Sequence, residues 1–431
     1  MTFNRDTYCI LPWSSIQINP SGDYKICCFS GVSGKNHGMA VDSNGTPMNV
    51  MTHSIKDALN STNHKDLRLA QSKNQRHPLC RVCWDRDDNN KNNPRTTSLR
   101  FFRTFDQLPG LENAITLEKA PDVMQEDGSI DSIPLSLDLR FTNVCNMKCI
   151  MCSSIYSNQW YQDQEKLYGT KTITLDSKTY NITNENGVYK SDMPVWHDSE
   201  QWWNSFDEIK DRIRHLYLTG GEPFIVKGHD VLLDKLIESN LASNVILEYD
   251  TNLSVVNDKI LNRLKQFKQV ILSVSCDDVD DRYELIRFPG KFSTITKNIQ
   301  TLKDRGFDIR HLSTCVGIYS IFSPIRLREK FPEHKLSVRL LRSPPHSDIM
   351  YLPRNVKLEV IKVYQQSNIE DRWKNFIISY LENNMDTVPE STCVATLMQH
   401  IDYLTKLDRI RGTEWKTTFP DVVDLLKDYI K

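Results

Sequence analysis

The chain has 431 residues, 39% of them hydrophobic and 25% charged, with a formal net charge of −1. One core rarely holds so long a chain, so more than one domain is expected, and the balanced charge gives no global reason to expect a nucleic acid or an acidic membrane surface as partner. No apolar run approaches the roughly 18 residues of a bilayer span. The opening MTFNRDTYCILPW lacks the basic and apolar regions of a signal peptide, so a reducing cytoplasm is expected.

In chain order, SSIQINPSGDYKICC predicts a hairpin that turns at Asn19, Pro20, Ser21 and Gly22. Residues 30–48 read as loop, 54–75 as helical, leading into HPLCRVCW, and 106–134 as a linker. From 135 onward strand patterns alternate with amphipathic helical ones. The strand candidates are 135–141, 214–219, 245–252, 269–275, 309–318 and 336–341. Helices are expected over 229–240, 257–267 and 293–306, with caps at Asp230, Asn257 and Ser293. Repeated strand–helix units imply parallel strands under an outer layer of helices, and six units suit an open, partial barrel. The stretch 153–210 reads as irregular. Its Trp160, Tyr161, Trp196, Trp202 and Trp203 could wall a substrate pocket or form a local mini-core. Beyond 346 the pattern is helical.

Eleven cysteines, an odd number with no export signal, argue against a disulfide framework and for metal or iron–sulfur ligation. Cys145, Cys149 and Cys152 crowd into CNMKCIMC after the first barrel strand, the end where parallel α/β folds place their chemistry. Three thiolates can hold three irons of a 4Fe–4S cluster and leave the fourth iron open.

At this point the sequence resembles the radical S-adenosylmethionine (radical SAM) enzymes, whose hallmark is C-x3-C-x2-C after the first strand of a partial (β/α)6 barrel. LTGGEPF at 218–224 looks like the Gly-Gly-Glu-Pro motif of that family. DTNL at 250–253 stands where the family often has Thr-Asn-Gly, with Leu253 replacing the glycine. SVSCDD at 273–278 and IRFPGKF at 286–292 match its Ser-x-Asp and arginine-containing segments. The resemblance implies that S-adenosylmethionine chelates the open iron. It places Met151 at the adenine, Gly221 and Glu222 at the methionine amino group, and Ser275 and Arg287 at ribose and carboxylate, with Gly220, Thr251 and Asn252 also in the cofactor site. It further implies reductive cleavage of the cofactor to a 5′-deoxyadenosyl radical that abstracts hydrogen from substrate, served by an electron donor such as flavodoxin or ferredoxin.

A second group, Cys9, Cys27 or Cys28, Cys80 and Cys83, could complete a zinc site or a second 4Fe–4S cluster. It resembles the SPASM/twitch auxiliary-cluster module, and Gly22-x4-Cys27 favours Cys27. That module usually follows the barrel; here it precedes it. The expected organisation is therefore a module with linker at 1–130, a radical SAM barrel at 131–345 and a helical extension at 346–431. The module's usual association implies a peptide or protein substrate. A small metabolite, sugar or nucleotide is the alternative, and a non-catalytic iron–sulfur or zinc protein the second. Oxidoreductase and transferase outcomes both stay open.

Of the other cysteines, Cys276 and Cys393 read as packing, whereas Cys315 sits on the polar face of its strand with Ser313, Gly317 and Tyr319 and is a weak candidate hydrogen donor. Asp277, Asp278, Arg339 and Arg342 read equally as substrate contacts or ion-pair residues. His37, His53 and His64 show no metal spacing.

Overall fold

A computed structural model describes residues 6–31, 38–88, 95–98, 120–131, 135–176 and 178–430. The strands are β1 (Ser15–Ile18), β2 (Tyr24–Lys25), β3 (Ser136–Leu139), β4 (Thr172–Leu175), β5 (Lys178–Glu185), β6 (Val188–Ser191), β7 (His215–Leu218), β8 (Ile246–Thr251), β9 (Gln269–Ser275), β10 (Ile309–Val316) and β11 (Leu336–Leu340). Eight form one sheet in the order β11-β10-β9-β8-β7-β3-β1-β2, and β4, β5 and β6 form a small second sheet. From β3 to β11 all pairings in the large sheet are parallel, with helices crossing between strands. This is the partial (β/α)6 barrel expected from the alternation, with a hairpin-and-helix module before it and a helical region after it.

Period-two alternation divides the barrel. Leu137, Leu139, Leu216, Leu218, Leu247 and Tyr249 are fully buried against Leu232, Leu236, Leu264 and Ile295 of the outer helices. Asp138, Tyr217, Asp250, Ser273 and Cys315 alternate with them and face inward. The lower lumen is plugged by the N-terminal segment, whose Tyr8, Ile10 and Trp13 pack on Ile246 and Ile271.

The predicted hairpin forms, and it does more than hold cysteines. β1 pairs in parallel with β3, Gln17 opposite Asp138, so the hairpin extends the barrel sheet. Asn19 shapes the turn by accepting from the backbone N–H of Ser21 and Asp23, each at 3.0 Å, and Gly22 takes the positive φ of 83° that the turn needs. Helices Ile55–Leu59, Thr62–Ser72 and Arg81–Asp88 follow.

The stretch 153–210 is not irregular. It holds helix Trp160–Tyr168, the β4–β6 sheet and helix Glu200–Asp207. Trp196 and Trp202 are fully buried in the main core rather than in a separate one, with Trp196 stacked on Phe141 at 5.1 Å. The β4–β5 turn is tied to the front hairpin: Asp176 pairs with Lys25 at 2.9 Å, and Lys178 with Asp23 at 2.6 Å.

Two helix starts differ from expectation. Lys227–Glu238 begins before Asp230, which instead pairs with Arg263 at 2.9 Å, and Phe292–Asp304 is preceded by Lys291 rather than capped by Ser293. Asn257 caps as expected, accepting from Ile260 N at 3.0 Å. The C-terminal helices Arg354–Gln366, Asp371–Asn383 and Glu390–Arg411 build a second core that includes Ile150 and Trp160. Of the linker expected over 106–134, residues 106–119 and 132–134 lie outside the described residues, as does His37. Among the described residues no helix is long and apolar enough to cross a membrane.

Candidate active site

The cysteine loop leaves the end of β3 and is held from three sides. On one side lies the Gly-Gly-Glu segment after β7. Gly221 N–H donates to Thr142 O at 3.1 Å and Glu222 N–H to Val144 O at 2.9 Å. On the second side runs the arginine segment, with Lys148 N–H donating to Phe288 O at 2.7 Å and Ile150 N–H to Ile286 O at 2.8 Å. On the third, Trp160 Nε1 donates to Cys149 O at 3.0 Å and Tyr403 Oη to Ile150 O at 2.7 Å. These bonds satisfy a loop whose backbone would otherwise be buried unpaired.

So held, the three thiols converge: the Cys152 sulfur feels both Cys149 and Cys145. Burial pushes the Cys145 thiol up to about 12 and raises Cys149 and Cys152 as well, while Arg287 pulls all three back. Arg287 Nη1 lies 3.9 Å from Cys149 Sγ, and its Nη2 pairs with the fully buried Asp277 at 2.6 Å. Thiols held neutral by burial would become ligands only by losing their protons to solvent as iron binds, which would couple cluster binding to the folding of this loop.

Glu222, 1% exposed, accepts from Thr251 Oγ1 at 2.6 Å and from Asn252 N–H at 2.7 Å, and burial raises its pKa. Asn252 Nδ2 reaches Asn146 Oδ1 at 3.0 Å. The structure therefore brings Gly220, Gly221, Glu222, Thr251, Asn252 and Arg287 to the three-cysteine loop. Ser275 ends β9 half-buried on the inner face, and Met151, also half-buried, packs against the C-terminal core. Cys315 lies on the inner face of β10, where burial holds its thiol up at about 12, and its N–H donates to Asp277 at 2.6 Å.

Gly317 and Tyr319 depart from the expected shared face because β10 ends at Val316, and Tyr319 stacks on His400 in the second core. Asp277 and Asp278 are ion-pair residues, the latter with Arg326, and Arg342 pairs with Asp348 at 3.1 Å. Arg339 is exposed, 3.9 Å from Asp250. Cys276 and Cys393 are buried in packing positions.

At the front, Cys9, Cys27, Cys80 and Cys83 line one cavity, and Cys80 feels the other three sulfurs. Cys28 does not line it; its thiol, raised by burial, has Asp138 and Arg140 among its charged neighbours. Burial raises Cys83 to about 11, and Cys9, Cys27 and Cys80 are raised too. Among the described residues no three His, Cys, Asp or Glu side chains converge tightly enough for a single ion. Four thiols lining one cavity are a donor set that a 4Fe–4S cluster can take.

Residues 139–321 match the model of the radical SAM superfamily. The chain carries a radical SAM domain. Residues 9–84 of the enzyme match the SPASM iron-sulfur cluster-binding domain, so the module does stand before the barrel. Its cofactors are S-adenosylmethionine, a 4Fe–4S cluster with an open iron and an auxiliary 4Fe–4S cluster, and the two cysteine groups are the donor sets that fit them.

Solved structures similar to the enzyme include Streptococcus suis SuiB bound to precursor peptide SuiA, at 14% identity over 65% of this chain and 62% of that one, TM-score 0.35. Streptococcus suis SuiB is similar at 13% over 91% and 77%, TM-score 0.35. TYW1 with a lysine-pyruvate adduct bound is similar at 14% over 54% and 74%, TM-score 0.29. The chain thus spans less than two thirds of the SuiA-bound SuiB chain. No match is found among curated proteins.

Sequence reading missed the residues that brace the loop from outside the barrel: Trp160, Asp163, Tyr403 and Arg411. It also missed Gln17, which the β1–β3 register turns into the lumen. Only Trp160 carried a local signal, as part of the aromatic-rich stretch.

Proposed function

We propose that Cys145, Cys149 and Cys152 hold the open-site cluster, that Cys9, Cys27, Cys80 and Cys83 hold the auxiliary one, and that the enzyme modifies a peptide or protein by hydrogen abstraction. When bound, the reduced open-site cluster supplies the electron that cleaves S-adenosylmethionine to a 5′-deoxyadenosyl radical. The chain's own part is to orient and exclude. Gly221 offers a backbone without a side chain beside the loop, Glu222 is fixed by Thr251 and Asn252, and Arg287 presents a cation for the cofactor carboxylate.

The observation that carries the peptide reading is the polar lumen beneath this site. Gln17, 3% exposed, has an Oε1 with no hydrogen-bond partner among the described residues, beside the ion pair of Arg140 Nε with Asp138 at 3.6 Å. A buried amide acceptor left open in a polar lumen asks for an N–H such as a peptide unit offers. The module organisation at 1–130, 131–345 and 346–431, a cytoplasmic setting and a flavodoxin- or ferredoxin-type donor belong to the same proposal.

The test is deuterium transfer. A fully deuterated cell extract, divided by size and incubated anaerobically with the enzyme, dithionite and S-adenosylmethionine, should deliver deuterium into 5′-deoxyadenosine from a peptide fraction, and protease treatment of that fraction should abolish the transfer. Transfer from a protease-resistant small-molecule fraction would replace the peptide reading with a metabolite.

A further inference from the structure

The brace on the cysteine loop is electrically unbalanced. Asp163, fully buried, accepts from Lys148 Nζ at 2.7 Å and from Arg411 Nε at 2.7 Å. Two cations share one carboxylate, so the group carries a net positive charge. Lys148 sits between two of the loop's cysteines, at 15% side-chain exposure, and Arg411 arrives from the far end of helix Glu390–Arg411, at 2%.

The Arg411 guanidinium lies 4.9 Å from the Trp160 ring and 5.6 Å from that of Phe288. Both rings belong to residues already bonded to the loop backbone, Trp160 through Cys149 O and Phe288 through Lys148 N–H. Arg411 Nη2 is buried with no hydrogen-bond partner among the described residues. Aromatic walls keep water from this charge, so its field is little screened.

We infer that Arg411, acting with Asp163 and Lys148, raises the reduction potential of the open-site cluster. The inference rests on assigning that cluster to Cys145, Cys149 and Cys152. A cluster gains negative charge on reduction, and its potential follows local charge, hydrogen bonding and solvent access. A net cation beside the loop favours the reduced form. Arg411 touches neither the cysteines nor the cofactor site; it is a positioning and tuning residue.

The experiment is an anaerobic potentiometric titration of the full-length protein with both clusters, followed by EPR and read on the signal that changes when S-adenosylmethionine is added. Arg411→Met keeps the stem and removes the charge. At fixed potential its reduced-to-oxidised ratio should fall about ten-fold, which for a one-electron couple is about 59 mV. Asp163→Asn leaves both cations uncompensated and should move the ratio the other way. Arg411→Lys should stay near wild type. Unchanged midpoints at unchanged iron content overturn the inference, and so do shifts of the same sign in Arg411→Met and Asp163→Asn, which mark loosening rather than charge. If one of these two variants fails to hold iron, the other decides: a shift of the stated sign supports the inference and none overturns it. Loss of the SAM-sensitive signal from Cys145→Ala would be expected on the cluster assignment itself. Its persistence would overturn that assignment separately.

Discussion

Gly221 and Val144 are packed so closely that a β-carbon on Gly221 would lie 1.9 Å from the Val144 carbonyl oxygen. The neighbour is backbone, so it cannot swing aside. Gly221→Ala should therefore push the cysteine loop off the Gly-Gly-Glu segment, at a cost of about 1–3 kcal/mol or more. The checks are thermal unfolding and iron content after anaerobic reconstitution, with the SAM-sensitive cluster lost first. A variant with wild-type stability and iron would mean that the loop is not held here.

Arg287 serves two masters. Removing it leaves Asp277 buried and unpaired, so Arg287→Ala should lose about 3–5 kcal/mol of stability. Arg287→Lys keeps the charge but not the fork. It should fold and bind S-adenosylmethionine about ten-fold more weakly, matching a lost charge-assisted bond of about 1.5 kcal/mol. Calorimetric titration measures this, and an unchanged affinity would remove Arg287 from the cofactor site.

The barrel was legible because its strands are short apolar runs with period two, and 269–275 was read to the residue. The thiols and motifs were legible because they are local. What escaped is non-local or polar. The β1–β3 pairing joins segments 121 residues apart, Gln17 to Asp138, and periodicity cannot name a partner strand. Sheet β4–β6 is largely exposed, so its alternation is weak, yet Asn186-Gly187 at the β5–β6 turn was a readable hairpin signal. The Arg411–Asp163 pair spans 248 residues and leaves no trace in either segment.

On the proposed assignment the front cluster should support turnover but not cofactor cleavage, because the four cysteines that line its cavity would leave no open iron. A Cys80→Ala, Cys83→Ala variant, if soluble, should still make 5′-deoxyadenosine and fail to release modified substrate. A lowered melting temperature would mark a structural role, since cluster binding energy is folding energy here. Near-normal stability with a stalled substrate radical would mark electron relay. Full product formation at normal stability would make the cluster dispensable.

Stability should fall on the acid side through three fully buried histidines, His64, His229 and His400, with His64 held well below its ordinary pKa by burial. Burial pulls His229 down to about 4 and His400 down to about 3. Each stays neutral in the fold and gains a proton when unfolded below about pH 6.5. The unfolded state then binds more protons, so stability is complete above that pH and declines as pH drops towards 4. Urea unfolding should show a loss of about 4 kcal/mol between pH 7.5 and 5.5, about a third smaller in His400→Gln. A flat profile would contradict the burial of these rings.

The central claim is that Cys145, Cys149 and Cys152 hold the cluster at which S-adenosylmethionine is cleaved. The direct measurement is 5′-deoxyadenosine formation, under dithionite, by the reconstituted enzyme and by its Cys145→Ala, Cys149→Ala, Cys152→Ala variant. The account predicts steady formation by the enzyme and none by the variant, which should still hold the iron of the front cluster. Cleavage that persists in the variant, or an iron-replete enzyme that forms no 5′-deoxyadenosine, would contradict it.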